Sequence, residues 1–162
     1  MSIKGFISYA HDDHAAFKKL RKDIRATERA LGIDFWADTR IRGGNYWSQN
    51  IADAIDAARV HLLLFTPAFI DSDYIFDHEL PHIDGKCAAG DLVIPVIMQR
   101  CSWDAFVGVL QAVPTSLAGR LTPVIDWRPT RHGYDAARAQ IDLAIKAHFG
   151  IAPTPPFQWG KP

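Results

Sequence analysis

The sequence is poor in cysteine, in glutamate and in net charge. Its two cysteines, Cys87 and Cys101, are too few for a disulfide scaffold and are not spaced as a zinc site, which fits a reducing compartment. Eighteen Lys plus Arg balance eighteen Asp plus Glu, so no overall field draws the chain onto nucleic acid or anionic lipid, and direct nucleic-acid binding is not expected. No apolar run reaches the roughly 18 residues that span a bilayer. The N-terminus passes from Lys4 into Gly5-Phe6-Ile7-Ser8-Tyr9 without the apolar stretch of a signal peptide, so the chain reads as cytoplasmic with no membrane partner. A G-x-x-x-x-G-K-[ST] loop is missing, and Gly43-Gly44 does not separate a strand from a helix as a dinucleotide-binding turn requires. Glutamate occurs only as Glu28 and Glu79 against sixteen aspartates, so either glutamate stands out.

What is present suits a single folded domain. The length of 162 residues with 48% hydrophobic and 22% charged residues can bury one core. Ile3 to Tyr9 reads as a buried strand, followed by His11-Asp12-Asp13, where a carboxylate can cap the next helix. Phe17, Leu20, Ile24, Thr27 and Leu31 recur at helical spacing, with Gly32 as the C-cap. A short apolar stretch, Ile33 to Trp36, leads into a polar, glycine-bearing loop from Ala37 to Asn45. Trp47, Ile51, Ile55 and Ala58 mark a second helix, and Val60 to Phe65 is the continuous apolar run of a strand covered on both faces. After Thr66-Pro67 the pattern is helical to about Cys87, with Pro81 expected to interrupt or kink it. Leu92 to Met98 is a further central strand, Val124 to Trp127 a weaker one, and Ile141, Ala144, Ile145, His148 and Phe149 line a last helix. Alternating strands and helices argue for an α/β fold, a parallel sheet with helices on both faces and a ligand site at the carboxyl ends of the strands. Residues 1–150 form the expected domain. Residues 151–162, with four of the ten prolines, read as a linker or tail leading to a sensor or partner module.

Two chemical motifs can be weighed directly. His78-Glu79-Leu80-Pro81-His82 matches H-E-x-x-H, in which a helix sets two imidazoles one turn apart on zinc. Pro81 works against that helix, costing ~3 kcal/mol in its interior, and no third ligand has a defined spacing, so a metal is not expected. A phosphate-accepting receiver would need an aspartate at the end of the third strand, where the chain reads Leu64-Phe65-Thr66.

Taken in order, the motifs resemble the Toll/interleukin-1 receptor (TIR) domain in its bacterial, NAD+-cleaving form. Phe6-Ile7-Ser8-Tyr9 followed by His11-Asp12-Asp13 is similar to the opening box of that family. Phe35-Trp36-Ala37-Asp38, with Ile41, Gly43 and Trp47, resembles the second box and its BB loop. Leu64 to Tyr74, running on to Glu79-Leu80, resembles the third-strand exit and the helix bearing the catalytic glutamate. Val93-Ile94-Pro95-Val96-Ile97, Cys101-Ser102-Trp103 and Leu110 to Pro114 resemble the next strand and the loop after it. Many enzymatic members place a tryptophan or cysteine shortly before the glutamate, where this chain has Tyr74, Ile75 and Phe76.

The resemblance implies a three-layer flavodoxin-like fold with a central five-stranded parallel sheet. It implies cleavage of the nicotinamide–ribose bond of NAD+, as substrate rather than cofactor, to ADP-ribose or a cyclised isomer. Glu79 is then the catalytic residue; Ser8, Tyr9, Ala10, Trp36, Asp38, Arg40, Ser72 and Tyr74 bind substrate, with an aromatic ring stacking on nicotinamide or adenine and Arg40 or Arg42 meeting the pyrophosphate. Arg42, Gly43, Gly44 and Asn45 belong to an assembly loop, because homotypic TIR–TIR contacts activate such domains in bacterial antiviral defence. A non-catalytic adaptor acting only through such contacts is the alternative, and for each site residue ordinary packing or surface exposure is the rival reading.

Overall fold

The computed structural model describes residues 2–39 and 49–152. Within them the chain alternates strand and helix: β1 (Ile3–Ser8), α1 (His14–Leu31), β2 (Ile33–Trp36), α2 (Gln49–Ala57), β3 (Val60–Phe65), α3 (Pro67–Ile70), a π-helical turn (Ile75–Glu79), α4 (Leu80–Ala88), β4 (Leu92–Ile97) and α5 (Thr130–Phe149). The strands form one parallel sheet in the order β2-β1-β3-β4.

Every residue of β3 is buried, which explains why its sequence shows no polar alternation. Leu62 and Leu64 point toward Phe17, Leu20 and Ile24 of α1 and Ile141 and Ile145 of α5. Leu63 and Phe65 point the other way, toward Ile51 and Ile55 of α2, Phe69 of α3 and Ile83 of α4. Two cores thus share one sheet, and each fully buried aliphatic or aromatic side chain contributes about 1.5–3 kcal/mol. The apolar stripe read for α1 is its buried face, and Gly32 ends the helix at φ 67°, a left-handed conformation that favours glycine.

Four strands are formed among the described residues rather than the expected five. Val124–Asp126 is a short 3-10 turn instead of a strand. A fifth position exists only as a single parallel bridge between Val96 and Val113, with Val113 N donating to Pro95 O at 2.9 Å and Ile97 N donating to Val113 O at 2.8 Å. The ladder stops there because Gln140 of α5 takes the peptide groups of Thr115, which would form the next rung. Its Oε1 accepts from Thr115 N at 2.8 Å, and its Nε2 donates to Thr115 O at 2.7 Å.

Pro81 interrupts the helical run, as expected. The chain widens into the π turn just before it, with Leu80 N donating to Ile75 O, and α4 then restarts with Pro81 in its first turn, where its fixed φ suits a helix. Asp13 occupies the N-cap position of α1 without capping it. Of the expected tail, Ile151 packs on the first core, and residues 153–162 lie outside the described residues. No described helix is long and apolar enough to cross a membrane.

Gly5 pairs with Phe35 across β1 and β2, and a Cβ there would sit 2.3 Å from Phe35 Cδ1. Gly5→Ala should therefore destabilise the fold by about 1–3 kcal/mol, read as a lowered denaturation midpoint; an unchanged midpoint would show that the ring moves freely. At the start of β3, His61 is fully buried with Nε2 3.3 Å from Asp91 Oδ2. Burial holds its pKa below the ordinary 6.5, Asp91 opposing. The unfolded chain therefore takes the proton first, and stability falls as pH drops below 6.5. Denaturation midpoints measured from about pH 7 down to about pH 5 should decline, and His61→Gln should flatten that slope; equal slopes would contradict this assignment.

Candidate functional site

Parallel strands put all their carboxyl ends on one side of the sheet, and the exits of β1, β2 and β3 meet there around a pocket of about 150 Å³. Phe6, Ile7, Tyr9, Ala10 and His11 come from β1 and its exit, Asp38 from the exit of β2, and Ser72, Tyr74, Ile75 and Glu79 from the segment after β3.

Glu79 is only 7% exposed. It is the last residue of the π turn. The other glutamate is committed to the scaffold: Glu28 of α1 is buried, accepts the Phe35 N–H at 2.9 Å and pairs with Arg21 at 2.6 Å, fastening β2 to α1. Of the two unusual residues in the sequence, one therefore builds the fold and the other faces the pocket.

Tyr9 fixes the opposite wall. Its ring stacks on Phe17 with centroids 4.0 Å apart and planes 3° from parallel, and its hydroxyl donates to the Asp38 carbonyl at 3.0 Å, tying the exit of β2 to that of β1. The phenol is pushed up to about 12, first by burial and then by the negative charges of Asp38 and Glu79, so both carboxylates act on the same small space. Ser72 sets the turn that carries Glu79, its Oγ accepting from Ile75 N at 3.3 Å. The Tyr74 ring lies 5.4 Å from that of His78.

Six of the residues expected at the site, Tyr9, Ala10, Asp38, Ser72, Tyr74 and Glu79, line this one pocket. Ser8 is not among the lining residues: it is 1% exposed, its hydroxyl without a hydrogen-bond partner among the described residues. Trp36 is not among the lining residues: it stacks on Phe6 at 5.7 Å and borders an adjoining hollow with Asp38, Thr39, Asn50 and Asp53. Arg40, Arg42, Gly43, Gly44 and Asn45 lie outside the described residues. Sequence reasoning missed His11, Phe6, Ile7 and Ile75 as lining residues. The signal for His11 was its place directly after Ala10; nothing in the apolar pattern separates Phe6, Ile7 and Ile75 from core.

The two imidazoles of the H-E-x-x-H string are drawn to different partners, His78 to the Tyr74 ring and His82 to Asp56, 2.6 Å away. No group of three His, Cys, Asp or Glu able to hold a metal occurs among the described residues.

The family model described as "TIR domain" matches residues 6–141, from the first strand of this pocket into α5. The chain belongs to the TIR domain family. It is also 33% identical over 147 residues to the uncharacterized protein y4lF of Sinorhizobium fredii, a match covering 90% of this chain and 43% of that relative. The TIR domain here thus spans less than half the length of the relative it matches.

A buried carboxylate beside aromatic rings and strand-exit backbone can stabilise a developing cation and accept hydrogen bonds from sugar hydroxyls. The Tyr9 tether can be tested apart from any reaction. Tyr9→Phe should cost about 1 kcal/mol through loss of the bond to Asp38 O, measured by chemical denaturation, and a neutral result would mean that the bond does not hold the β2 exit.

Proposed function

We propose that this TIR domain is an NAD+ glycohydrolase. The observation that carries the reading is the buried Glu79 carboxylate in a pocket where three strand exits meet, in a chain of this family. A cavity of about 150 Å³ takes roughly one aromatic ring, which suits nicotinamide at the closed end with its ribose against Glu79. The hollow beside Trp36 then offers a path for the rest of the dinucleotide, with Asp38 shared between the two spaces.

The chemistry needs little else. The bond from ribose C1′ to the pyridinium nitrogen breaks with its electron pair going to nitrogen, so nicotinamide leaves neutral and requires no acid. The ribosyl centre becomes oxocarbenium-like, and the Glu79 carboxylate stabilises that charge and accepts hydrogen bonds from the ribose hydroxyls, as the second carboxylate of a glycosidase does. Water adding at C1′ gives ADP-ribose and a proton; an adenine nitrogen adding there gives a cyclic isomer. Tyr9 and Tyr74 form the aromatic walls, and Arg40 or Arg42 makes the pyrophosphate contact.

Activity follows homotypic assembly through the loop of Arg42, Gly43, Gly44 and Asn45, under control of a sensor module or partner beyond the tail. The setting is bacterial antiviral defence, and the compartment is the cytoplasm, where NAD+ is abundant. The neutral net charge supports leaving any nucleic-acid sensing to another module.

Concentrated, assembled chain incubated with NAD+ should release nicotinamide, followed by chromatography, and Glu79→Gln should lose about a hundredfold or more of that rate. Equal release by both chains would remove Glu79 from the chemistry, and no release by an assembled wild type would favour an adaptor that acts by TIR–TIR contact alone.

A further inference from the structure

A chain of hydrogen bonds runs behind the pocket and ends on the turn of Glu79. It begins at Asp13. Although placed to cap α1, its carboxylate instead accepts from the hydroxyl of Thr66. Thr66 is completely buried, and its oxygen also accepts from Phe69 N at 3.0 Å, so its hydroxyl is held from both sides. Phe69 O accepts from Ser72 N at 3.2 Å, Ser72 Oγ accepts from Ile75 N at 3.3 Å, and Ile75 O accepts from Leu80 N, closing the turn that bears Glu79. All links but the first are local; the first joins residues 53 apart in sequence, the exit of β1 to that of β3.

Those exits are the two walls of the pocket, Tyr9 and Ala10 on one and Glu79 on the other. The placement of Asp13 is unfavourable by itself, since burial pushes its carboxyl above the ordinary range while the Thr66 hydroxyl partly offsets this. A carboxylate serving only helix α1 would bond that helix's own N–H groups in solvent.

We propose that Asp13 and Thr66 are positioning residues, fixing the distance between the two strand exits and thereby the place of Glu79. The kinetic consequence rests on the NAD+ reading above; the geometric one does not. Misplacing a reacting group by about 1 Å costs on the order of a hundredfold in rate.

The test uses the full assembled chain as wild type, Thr66→Val, Thr66→Ser and Asp13→Ala, with two readouts: kcat and KM for nicotinamide release, and amide hydrogen exchange at Ile75 and Leu80. The valine and alanine variants should lower kcat by about tenfold to a hundredfold with KM within about twofold, and speed exchange at those two amides. Serine, which keeps the hydroxyl, should recover most of both. Unchanged kcat and exchange, or equal losses with serine and valine, would overturn the proposal. Should Thr66→Val fail to fold, Asp13→Ala at its half-buried site decides the matter. If wild type itself releases no nicotinamide, the NAD+ reading falls and exchange alone judges this one: acceleration confined to Ile75–Leu80 supports it, and a uniform or absent change overturns it.

Discussion

Burial on both faces of β3 and of the second half of β1, from Gly5 to Ser8, is the constraint on which the rest of this molecule depends. With α1 and α5 packed on one side and α2, α3 and α4 on the other, neither strand can slip by one residue without moving its side chains into the opposite core. The parallel registers of β1 with β2 and β3 are thereby fixed, and so are the heights at which Ser8, Trp36 and Phe65 leave the sheet. Tyr9 and Thr66 follow within a residue of those ends, and each is locked at once, Tyr9 between Phe17 and Asp38 and Thr66 between Asp13 and Phe69.

Glu79 ends the turn at which the helical run after β3 gives way to Pro81. A regular helix through residues 75–88 would meet Pro81 in its interior, with a lost bond and a ring clash. The wider π turn removes that conflict by ending one helical segment at Glu79 and starting the next at Leu80. Such turns recur at functional sites, and here the turn places a buried carboxylate at the wall of a pocket.

The order of strands and helices was legible because β3 and β4 are continuous apolar runs and α1 and α5 carry helical stripes, the first ended by Gly32. The fifth strand was not, because what ends the sheet is a side chain from 25 residues away, Gln140 taking the peptide of Thr115, a tertiary event without a local signature. Pro81 announced an interruption but not its form. At the site, Tyr9, Ala10, Asp38, Ser72, Tyr74 and Glu79 could be gathered through family resemblance together with strand-end placement. His11 was passed over because a solvated residue after a strand has no periodicity to betray it, and Trp36 borders a neighbouring hollow with its ring stacked on Phe6. Asp13 looked like a helix cap; its real partner lies on another strand exit.

The most direct test of the central claim is a structure of the assembled Glu79→Gln chain with uncleaved NAD+. The account predicts the nicotinamide ring in the pocket between Tyr9 and Tyr74, with ribose C1′ facing the side chain at position 79. A dinucleotide held with its nicotinamide ribose turned away from that side chain, or bound elsewhere on the domain, would contradict it.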